Sequence, residues 1–308
     1  MARLLAEQAR RSVSRRELAE RHAQFTALSP EVGAIDESAF GRLLEDRPDD
    51  AAELIVAMAQ ATDRDLRRSA RALSRRLVLP AALDPADCAP GAAKLRPVRA
   101  ASIDVDVDTT ITNVVQQDRP LAEAISWQAW QRPARAVVLA VDASGSVTGA
   151  PLATAVVTAC ALAARLRPVD ELAVVAFWSR PVLLRPMGSP EPFDAVIDAL
   201  LDLRGGDTTD IAAAVELALA QAVSARAARR DVVVLTDGLV TAGADPLGPA
   251  GAAANCGARI HVLALSDDAT ATAACTSLAD SGGGRMAPVA NPAAAPAAVW
   301  DVLGRGGC

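Results

Sequence analysis

The sequence predicts an α/β protein with a doubly wound, mostly parallel sheet and an all-helical domain at its N-terminus. From residue 135 onward, short strands that are apolar throughout alternate with helical segments. Such strands are buried on both faces, as in a parallel sheet that is covered by helices. Before residue 82 the apolar residues recur only at helical spacing. We therefore expect a helical domain at 1–82, a linker at 83–100 and an α/β domain at 101–308, with a lead-in strand region at 101–134 and a core at 135–303.

Each N-terminal helix is preceded by a pattern that is typical of a helix start. These starts are Ser14 with Glu17, Asp36 or Ser38, Pro48, and Thr62 with Asp65. The last pair of helices resembles one HEAT-type repeat, and a small helical bundle is the other interpretation.

The α/β domain is expected to begin with a half-exposed strand, because SIDVDVDTTIT (102–112) strictly alternates apolar and polar residues. The core strands that follow are predicted at 136–141, 172–177, 232–236, 259–265 and 285–289. The helices are predicted at 151–166, 191–201, 210–227, 246–255, 269–281 and 293–303. PVLLRP (181–186) follows the second core strand too closely for a crossover helix, so we expect it to be an antiparallel edge strand.

Composition narrows the class of protein. The net charge of −6 argues against a nucleic-acid binder. The longest uncharged run, 143–164, is interrupted by Gly149 and Pro151, so no membrane span is expected. The N-terminus has no apolar segment of a signal peptide, and the cysteines have no zinc-finger or disulfide-framework spacing. These features together predict a cytoplasmic protein. The cysteines are Cys88, Cys160, Cys256, Cys275 and Cys308.

Oxygen-bearing side chains follow three segments that end at one edge of the predicted sheet. The first core strand runs into VDASGS, a later strand runs into LTDG, and LRGGDTTDI opens a helix between them. Ligands of doubly wound sheets bind at the carboxyl ends of the strands, where the winding reverses. Since these side chains offer neither sulfur nor imidazole, they suit Mg²⁺ or Mn²⁺ better than zinc. The residues are Asp142, Ser144, Ser146, Thr208 or Thr209, and Asp237.

The three motifs resemble the metal-ion-dependent adhesion site (MIDAS) of von Willebrand factor A (VWA) domains. They are D-x-S-x-S, a glycine-preceded Thr-Asp-Ile that opens a helix, and T-D-G after an apolar strand, and LADSGGGRM looks like the turn before the last strand of that fold. The resemblance covers 135–303 and implies that serines and threonine bind the metal while the aspartates act mainly through water. Thr209 is preferred to Thr208 because it directly precedes Asp-Ile. The implied metal residues are Asp142, Ser144, Ser146, Thr209 and Asp237. The implied partner-facing residues are Gly145, Asp207, Thr208, Asp210 and Gly238.

The resemblance implies binding without turnover, so the protein is not expected to be an enzyme. A metal held by mostly neutral oxygens keeps positive charge and takes one further ligand, an Asp or Glu of a partner protein. IDVDVDTTITNVV followed by WQAWQRPARAVVLAVDASGS is similar to the bacterial CoxE-like VWA proteins, although Val147 stands where many members have Met. That similarity implies an adaptor or substrate-recognition partner of a MoxR-type AAA+ ATPase and its client. Since no P-loop motif is present, the ATPase activity would belong to the partner.

Two alternatives remain open at this stage. One is a VWA scaffold without an ATPase partner. The other is a metal-dependent phosphohydrolase, because DVDTT places Asp106 and Asp108 in a D-x-D-x-T pattern. That chemistry also needs a lysine to neutralise the phosphoryl oxygens. The only lysine of the sequence, Lys94, lies upstream of the motif. The arginine-rich helical segments are interpreted as solvated faces, with docking of an acidic ATPase surface as the alternative.

Overall fold

The computed structural model describes residues 13–31, 34–74, 76, 94–98, 104–117, 120–131, 134–144, 149–203, 206 and 208–304. The N-terminal part is helical, as predicted. Its helices are α1 (Arg15–Arg21), α2 (Phe25–Leu28), α3 (Glu37–Asp46), α4 (Pro48–Ala59) and α5 (Arg64–Ser74).

The helix starts follow the predicted caps, with one correction. Ser14 and Glu17 form a reciprocal capping box at α1, and Pro48 is the first residue of α4. Asp36, rather than Ser38, caps α3 by accepting two backbone N–H groups. The predicted cap Thr62 is wrong, because the carboxylate of Asp63 accepts the N–H of the second residue of α5 at 2.8 Å. Asp63 directly precedes the helix, which is the position where a side-chain acceptor reaches the first free N–H groups.

A small antiparallel sheet precedes the main one. It has the strand order β1–β3–β2, with β1 at Lys94–Val98, β2 at Asp104–Val105 and β3 at Trp127–Gln131. Helices α6 (Val107–Gln116) and α7 (Leu121–Ala124) lie between β2 and β3. The predicted strand over 102–112 is therefore wrong beyond Val105. Asp106 ends the strand by accepting the Thr109 N–H at 3.0 Å, and this cap starts α6.

The main sheet has six strands in the order β6–β5–β4–β7–β8–β9. Its strands are β4 (Arg135–Asp142), β5 (Glu171–Phe177), β6 (Pro181–Arg185), β7 (Arg229–Thr236), β8 (Ala258–Ala264) and β9 (Gly283–Pro288). All neighbours pair in parallel except β6, which is the predicted antiparallel edge strand. The helices are α8 (Ala150–Arg165), α9 (Asp194–Leu201), α10 (Ile211–Ser224), α11 (Leu247–Gly251), α12 (Ala269–Ser281) and α13 (Ala295–Leu303), with 3₁₀ turns at Ala253–Cys256 and Pro292–Ala294.

Helices cover both faces of this sheet, and the two faces use alternate residues of each strand. In β4, Val138 and Ala140 belong to the core under α10 and α12. Val137, Leu139 and Val141 belong to the opposite core, which α8, α9 and α13 cover and which continues into the N-terminal helices. Among the described residues, no helix has both the length and the apolarity that crossing a bilayer would need.

The strand order positions the candidate site. From β4 the chain moves outward to β5 and β6, and then returns to add β7 on the other side of β4. The winding therefore reverses between β4 and β7, so the crevice outside their carboxyl ends is the expected ligand position.

Candidate metal centre

Asp142, the last residue of β4, is the buried carboxylate of this crevice. Only 2% of the residue is exposed. The Ser144 backbone N–H donates to its Oδ1 at 2.9 Å, and the Thr236 hydroxyl donates to its Oδ2 at 2.7 Å. Burial raises the pKa of Asp142 above its ordinary value, these hydrogen bonds oppose the rise, and the charge of Asp237 adds to it. A cation in the crevice would favour the ionised form of Asp142.

Hydrogen bonds join the loop that leaves β4 to its neighbours. The Ala143 N–H donates to the Phe177 carbonyl at 2.7 Å, and the Gly206 N–H donates to the Ala143 carbonyl at 3.0 Å. Ser144 and Gly206 also pair as an isolated parallel bridge. A Cβ on Gly206 would lie 2.4 Å from Cδ1 of Trp178, so only glycine allows this approach. The D-x-S segment is thus held against the segment that leads to the predicted threonine ligand.

Thr209 connects that second segment to the loop after β7. The residue is buried, with 3% exposed. Its N–H donates to the Thr241 hydroxyl at 2.7 Å. Its carbonyl accepts the N–H groups of Thr241 and Ala242 at 3.2 and 3.1 Å. All three predicted loops are therefore tied to one another by hydrogen bonds.

Asp210 fixes the start of α10 directly behind Thr209. Its N–H donates to the Trp178 carbonyl at 2.8 Å, and its carboxylate accepts the Ala213 N–H at 2.9 Å. The same carboxylate lies against Gly243, where φ is +84° and an added Cβ would be 2.3 Å from Cγ of Asp210. The structure thus uses this predicted partner-facing residue as the N-cap of α10.

Asp237 and Gly238 form the turn that leaves β7. Asp237 is half-buried and accepts the Leu239 N–H at 3.0 Å. Gly238 has φ +81°, and a Cβ there would lie 2.8 Å from the sulfur of buried Cys275. Burial raises the pKa of Cys275 to about 11, with a smaller contribution from the two site aspartates. This thiol therefore packs beneath the turn as a neutral group.

The sequence-predicted residues fall into two groups. Ser146, Gly145 and Asp207 lie outside the described residues. The others lie on the hydrogen-bonded segments at the carboxyl end of β4, before α10 and after β7. Of the two candidate threonines, Thr209 is buried and Thr208 is half-buried.

The chemistry of the described donors fits a hard divalent cation. Asp142 and Asp237 offer carboxylate oxygens, and Ser144 and Thr209 offer hydroxyls. In the part of the chain that the structure describes, no group of three or more His, Cys, Asp or Glu side chains is placed to hold a metal. A centre here would therefore include the neutral hydroxyls, and this set of oxygen donors suits Mg²⁺ or Mn²⁺.

The comparison with protein families agrees with this architecture. Residues 136–296 match the model of the von Willebrand factor type A domain. The chain belongs to the VWA domain family. The match begins within β4 and ends within α13, so it includes the six-stranded sheet except for Arg135.

The solved structures to which this VWA protein is similar are distant in sequence. An aerotolerance-related membrane protein from Bacteroides fragilis is 20% identical, with 54% of this chain and 96% of that chain covered and a TM-score of 0.43. BatB from Bacteroides thetaiotaomicron is 19% identical, with 55% and 96% covered and a TM-score of 0.42. The vWF domain of the type V pili tip protein Mfa5 from Porphyromonas gingivalis is 14% identical, with 55% and 93% covered and a TM-score of 0.44. No curated protein matches the chain at a significant level.

The sequence motifs did not indicate the role of several residues of this VWA site. Thr236 and Thr241 hold Asp142 and Thr209 through hydroxyl groups, and Trp178 packs on the glycine segment. Thr236 is the first residue of the T-D-G motif, so the sequence could have indicated a role for it in the site. The contacts of Thr241 and Trp178 join segments that are far apart in the sequence, so no local pattern indicates them.

The loop after β7 also carries two exposed apolar residues beside the site. Leu239 is 51% exposed and Val240 is 43% exposed. They follow Asp237 and Gly238 directly, and the Leu239 N–H is bonded to the Asp237 carboxylate. Apolar side chains are thus presented to solvent next to the candidate metal position.

The alternative phosphohydrolase residues have another structural role. Asp106 accepts the backbone N–H and the hydroxyl of Thr109 at 3.0 and 2.8 Å, as the N-cap of α6. These hydrogen bonds lower its pKa. Asp108 is exposed in the first turn of the same helix.

The two histidines lie outside the three loops of the candidate site. His22 is half-buried. His261 is buried in β8 and lies between Asp231 and the backbone of Arg285.

Proposed function

We propose that this VWA protein is a metal-dependent protein-interaction module in which Mg²⁺ or Mn²⁺ at the β4–β7 crevice binds an Asp or Glu of a partner. The observation that carries the proposal is the hydrogen-bonded convergence of Asp142, Ser144 and Thr209 beside Asp237 at the switch point of the sheet. VWA domains generally act in protein interactions, and the proposal includes no turnover.

The protein residues do the positioning. Asp142 orients the Ser144 backbone, Thr236 fixes the Asp142 carboxylate, and Thr241 holds the Thr209 backbone. When bound, the cation supplies positive charge that attracts a carboxylate. The MIDAS resemblance implies that the aspartates act mainly through water. The direct donors among the described residues are then two neutral hydroxyls, and the cation keeps charge for the partner.

Leu239 and Val240 extend the contact surface around the carboxylate position. Exposed apolar side chains at the centre of an interface contribute most when a ring of polar contacts excludes water around them. We infer that the partner presents its acidic residue next to an apolar side chain that packs on these two residues.

For the partner itself we propose a MoxR-type AAA+ ATPase acting on a client protein. The support is the similarity of the lead-in segment and MIDAS strand to CoxE-like proteins. A VWA scaffold without an ATPase partner is the other outcome of the test. The cytoplasmic location expected from the cysteine pattern stays a prediction.

Metal binding is tested first, by calorimetric titration of Mg²⁺ and Mn²⁺. Asp142→Ala and Thr209→Ala are expected to weaken binding by about 10- to 100-fold or more. Glu20→Gln is the matched control, because this exposed carboxylate of α1 pairs with Arg16 at the helix surface and with no other described cation. Equal binding by wild type and Asp142→Ala would remove the basis of the proposal.

The partner is tested by pull-down of a purified MoxR-type ATPase, in Mg²⁺ and in EDTA. We expect capture by wild type in Mg²⁺ only, and loss with Asp142→Ala. Leu239→Ser is expected to weaken capture while metal affinity is retained. Equal capture in Mg²⁺ and in EDTA would contradict metal-dependent binding. Absence of capture by the metal-loaded protein would favour a VWA scaffold without an ATPase partner.

A further inference from the structure

A cavity of about 560 Å³ lies between the N-terminal helices and the VWA domain. Four arginines of α5 line it, with one acidic residue of α9. Its lining residues are Arg64, Arg67, Arg68, Arg71, Ala72 and Asp198. We propose that this cavity is a second, metal-independent binding site that takes an extended acidic segment of a partner protein.

The arginines form a continuous stripe on one face of α5. Their spacing of three, four and seven residues places them on the same side of a helix. The opposite face, with Leu66, Ala70 and Leu73, is buried against the protein. The fold therefore uses one face of α5 for packing and directs four positive charges toward the cavity.

Only part of this positive charge is balanced within the fold. Arg71 forms two 2.8 Å contacts with Asp202 and one of 3.5 Å with Asp198. Arg68 pairs with Asp65, but its side chain is 71% exposed. Such an exposed pair contributes little energy, so Arg68 is free to exchange its partner.

Arg67 and Arg64 have no carboxylate partner among the described residues. Nη1 of Arg67 donates to the carbonyls of Ala61 and Thr62 at 2.7 and 2.9 Å. These bonds hold the guanidinium in place without neutralising it, and they leave donors on its other nitrogens. The side chain of Arg64 forms no hydrogen bond or ion pair in the described part of the chain. Because the guanidinium of Arg67 is already held in place, less entropy is lost when it binds an anion. The unpaired charge of Arg64 beside it can bind the same anionic segment.

The spacing of the charges matches an extended acidic segment. Residues four apart in a helix rise by about 6 Å along its axis. Alternate residues of an extended strand are about 6.6 Å apart and point to the same side. Carboxylates at alternate positions of a bound segment can therefore meet Arg64 and Arg68 together. Planar guanidinium groups bind carboxylates through paired hydrogen bonds.

The lining also favours a peptide over a nucleotide. Apart from Ala72, every lining side chain is charged, and no aromatic ring is available on which a base could stack. An acidic segment, by contrast, needs only the guanidinium donors and an open path for its backbone.

The test is fluorescence anisotropy of a labelled peptide of alternating Glu and Ser, with the matching Gln and Ser peptide as the control ligand. Arg64→Gln is expected to weaken binding about tenfold, and Arg64→Gln with Arg67→Gln further still. Arg64→Gln removes no hydrogen bond or ion pair between described residues, so it is not expected to unfold the protein. Arg16→Gln is the matched control, because Arg16 is an arginine of α1 whose side chain is 88% exposed.

The outcomes separate this site from the metal centre. Binding is expected to persist in EDTA and in Asp142→Ala, whether or not the metal-dependent function holds. An equal loss with Arg16→Gln would show general charge attraction and overturn the proposal. Absence of binding, or displacement of the peptide by ATP at comparable concentration, would overturn the assignment to an acidic protein segment.

Discussion

Thr236 determines how the central carboxylate is oriented. Its hydroxyl donates to Oδ2 of Asp142 at 2.7 Å and accepts the Gly238 N–H at 3.1 Å. The residue is fully buried, so water cannot replace either bond. One side chain therefore links the end of β4 to the turn that carries Asp237.

Replacing Thr236 by Val should keep the shape of the side chain and remove the hydroxyl. The Asp142 oxygen and the Gly238 N–H would then be buried without this partner, which costs about 1–3 kcal/mol each. We expect a lower free energy of unfolding in urea and weaker Mg²⁺ binding. Thr236→Ser should restore much of both, and a Val variant with unchanged metal affinity would contradict the role assigned to this hydroxyl.

Gly206 is the second residue whose identity the site requires. In Gly206→Ala the new Cβ would lie 2.4 Å from the Trp178 ring, so either the ring or the loop that carries residue 206 must move. Overpacking of this kind costs about 1–3 kcal/mol. We expect a lower melting temperature together with reduced Mn²⁺ affinity.

Gly41→Ala is the control for that substitution. Gly41 lies inside α3, and a Cβ there would have no neighbour within 4 Å. Alanine should therefore raise stability by about 0.5–1 kcal/mol and leave metal binding unchanged. Similar effects of the two substitutions on metal affinity would mean that the Gly206–Trp178 contact does not shape the site.

At this scale the sequence predicted the positions of Asp142 and Asp237, because each directly follows an apolar strand. It could not predict the Thr209–Thr241 bond or the Gly206–Trp178 contact. Those contacts join loops that meet only once the sheet has formed.

Among the elements, β7, β8 and α13 are joined by a buried charge cluster around Asp231. The carboxylate meets Arg229 at 2.8 Å and Arg259 at 3.1 Å, and His261 Nε2 lies 3.4 Å away. The Arg285 N–H donates to Nδ1 of the histidine, so Nε2 carries the proton that points at Asp231. Arg229 also donates to the carbonyl of Leu303, the last residue of α13.

This cluster predicts a defined contribution to acid sensitivity. Burial opposes ionisation of Asp231, but the contacts with His261, Arg229 and Arg259 outweigh it and lower its pKa from 3.8 to about 2. Because the folded-state pKa is depressed, the stabilisation of about 2 kcal/mol is present above about pH 4 and is lost as the pH falls through about 2. Urea unfolding across this range should show wild type losing its advantage over Asp231→Asn as the pH falls. A constant difference between the two would contradict the assignment.

The elements also show where sequence patterns mislead. The alternation over 102–112 predicted a strand, yet Val107, Ile111 and Val115 also recur at helical spacing and lie in α6. The Asp106 cap favours the helix over the strand, because its carboxylate accepts a backbone N–H at the helix start. The buried strands β4, β5, β7 and β8 were predictable because their short apolar runs alternate with helical segments, as in a parallel sheet covered by helices.

For the whole molecule, the N-terminal helices and one face of the main sheet share a single hydrophobic core. Helix α4 packs on α8, and the backbone N–H of Ala293 donates to the Asp49 carboxylate at 2.7 Å. The apolar face of α4 therefore stabilises both parts of the chain at once.

Ile55→Ala tests this coupling. Ile55 is fully buried, and truncation of such a side chain costs about 2–5 kcal/mol. All four tryptophans, at 127, 130, 178 and 300, lie outside the N-terminal helices. We expect the variant to shift the tryptophan fluorescence transition and the circular dichroism transition together. A shift in circular dichroism alone would mean that the N-terminal helices unfold separately.

In the proposed site, oxygens of the three loops hold one divalent cation, with a position left for a carboxylate of a partner. Anomalous diffraction from a crystal grown with Mn²⁺ would locate this cation. We expect one strong peak in the β4–β7 crevice, contacted by the Ser144 and Thr209 hydroxyls and with one ligand position taken by water or by a carboxylate from another molecule. A crevice without a peak, or an ion fully enclosed by side chains of this chain, would contradict it.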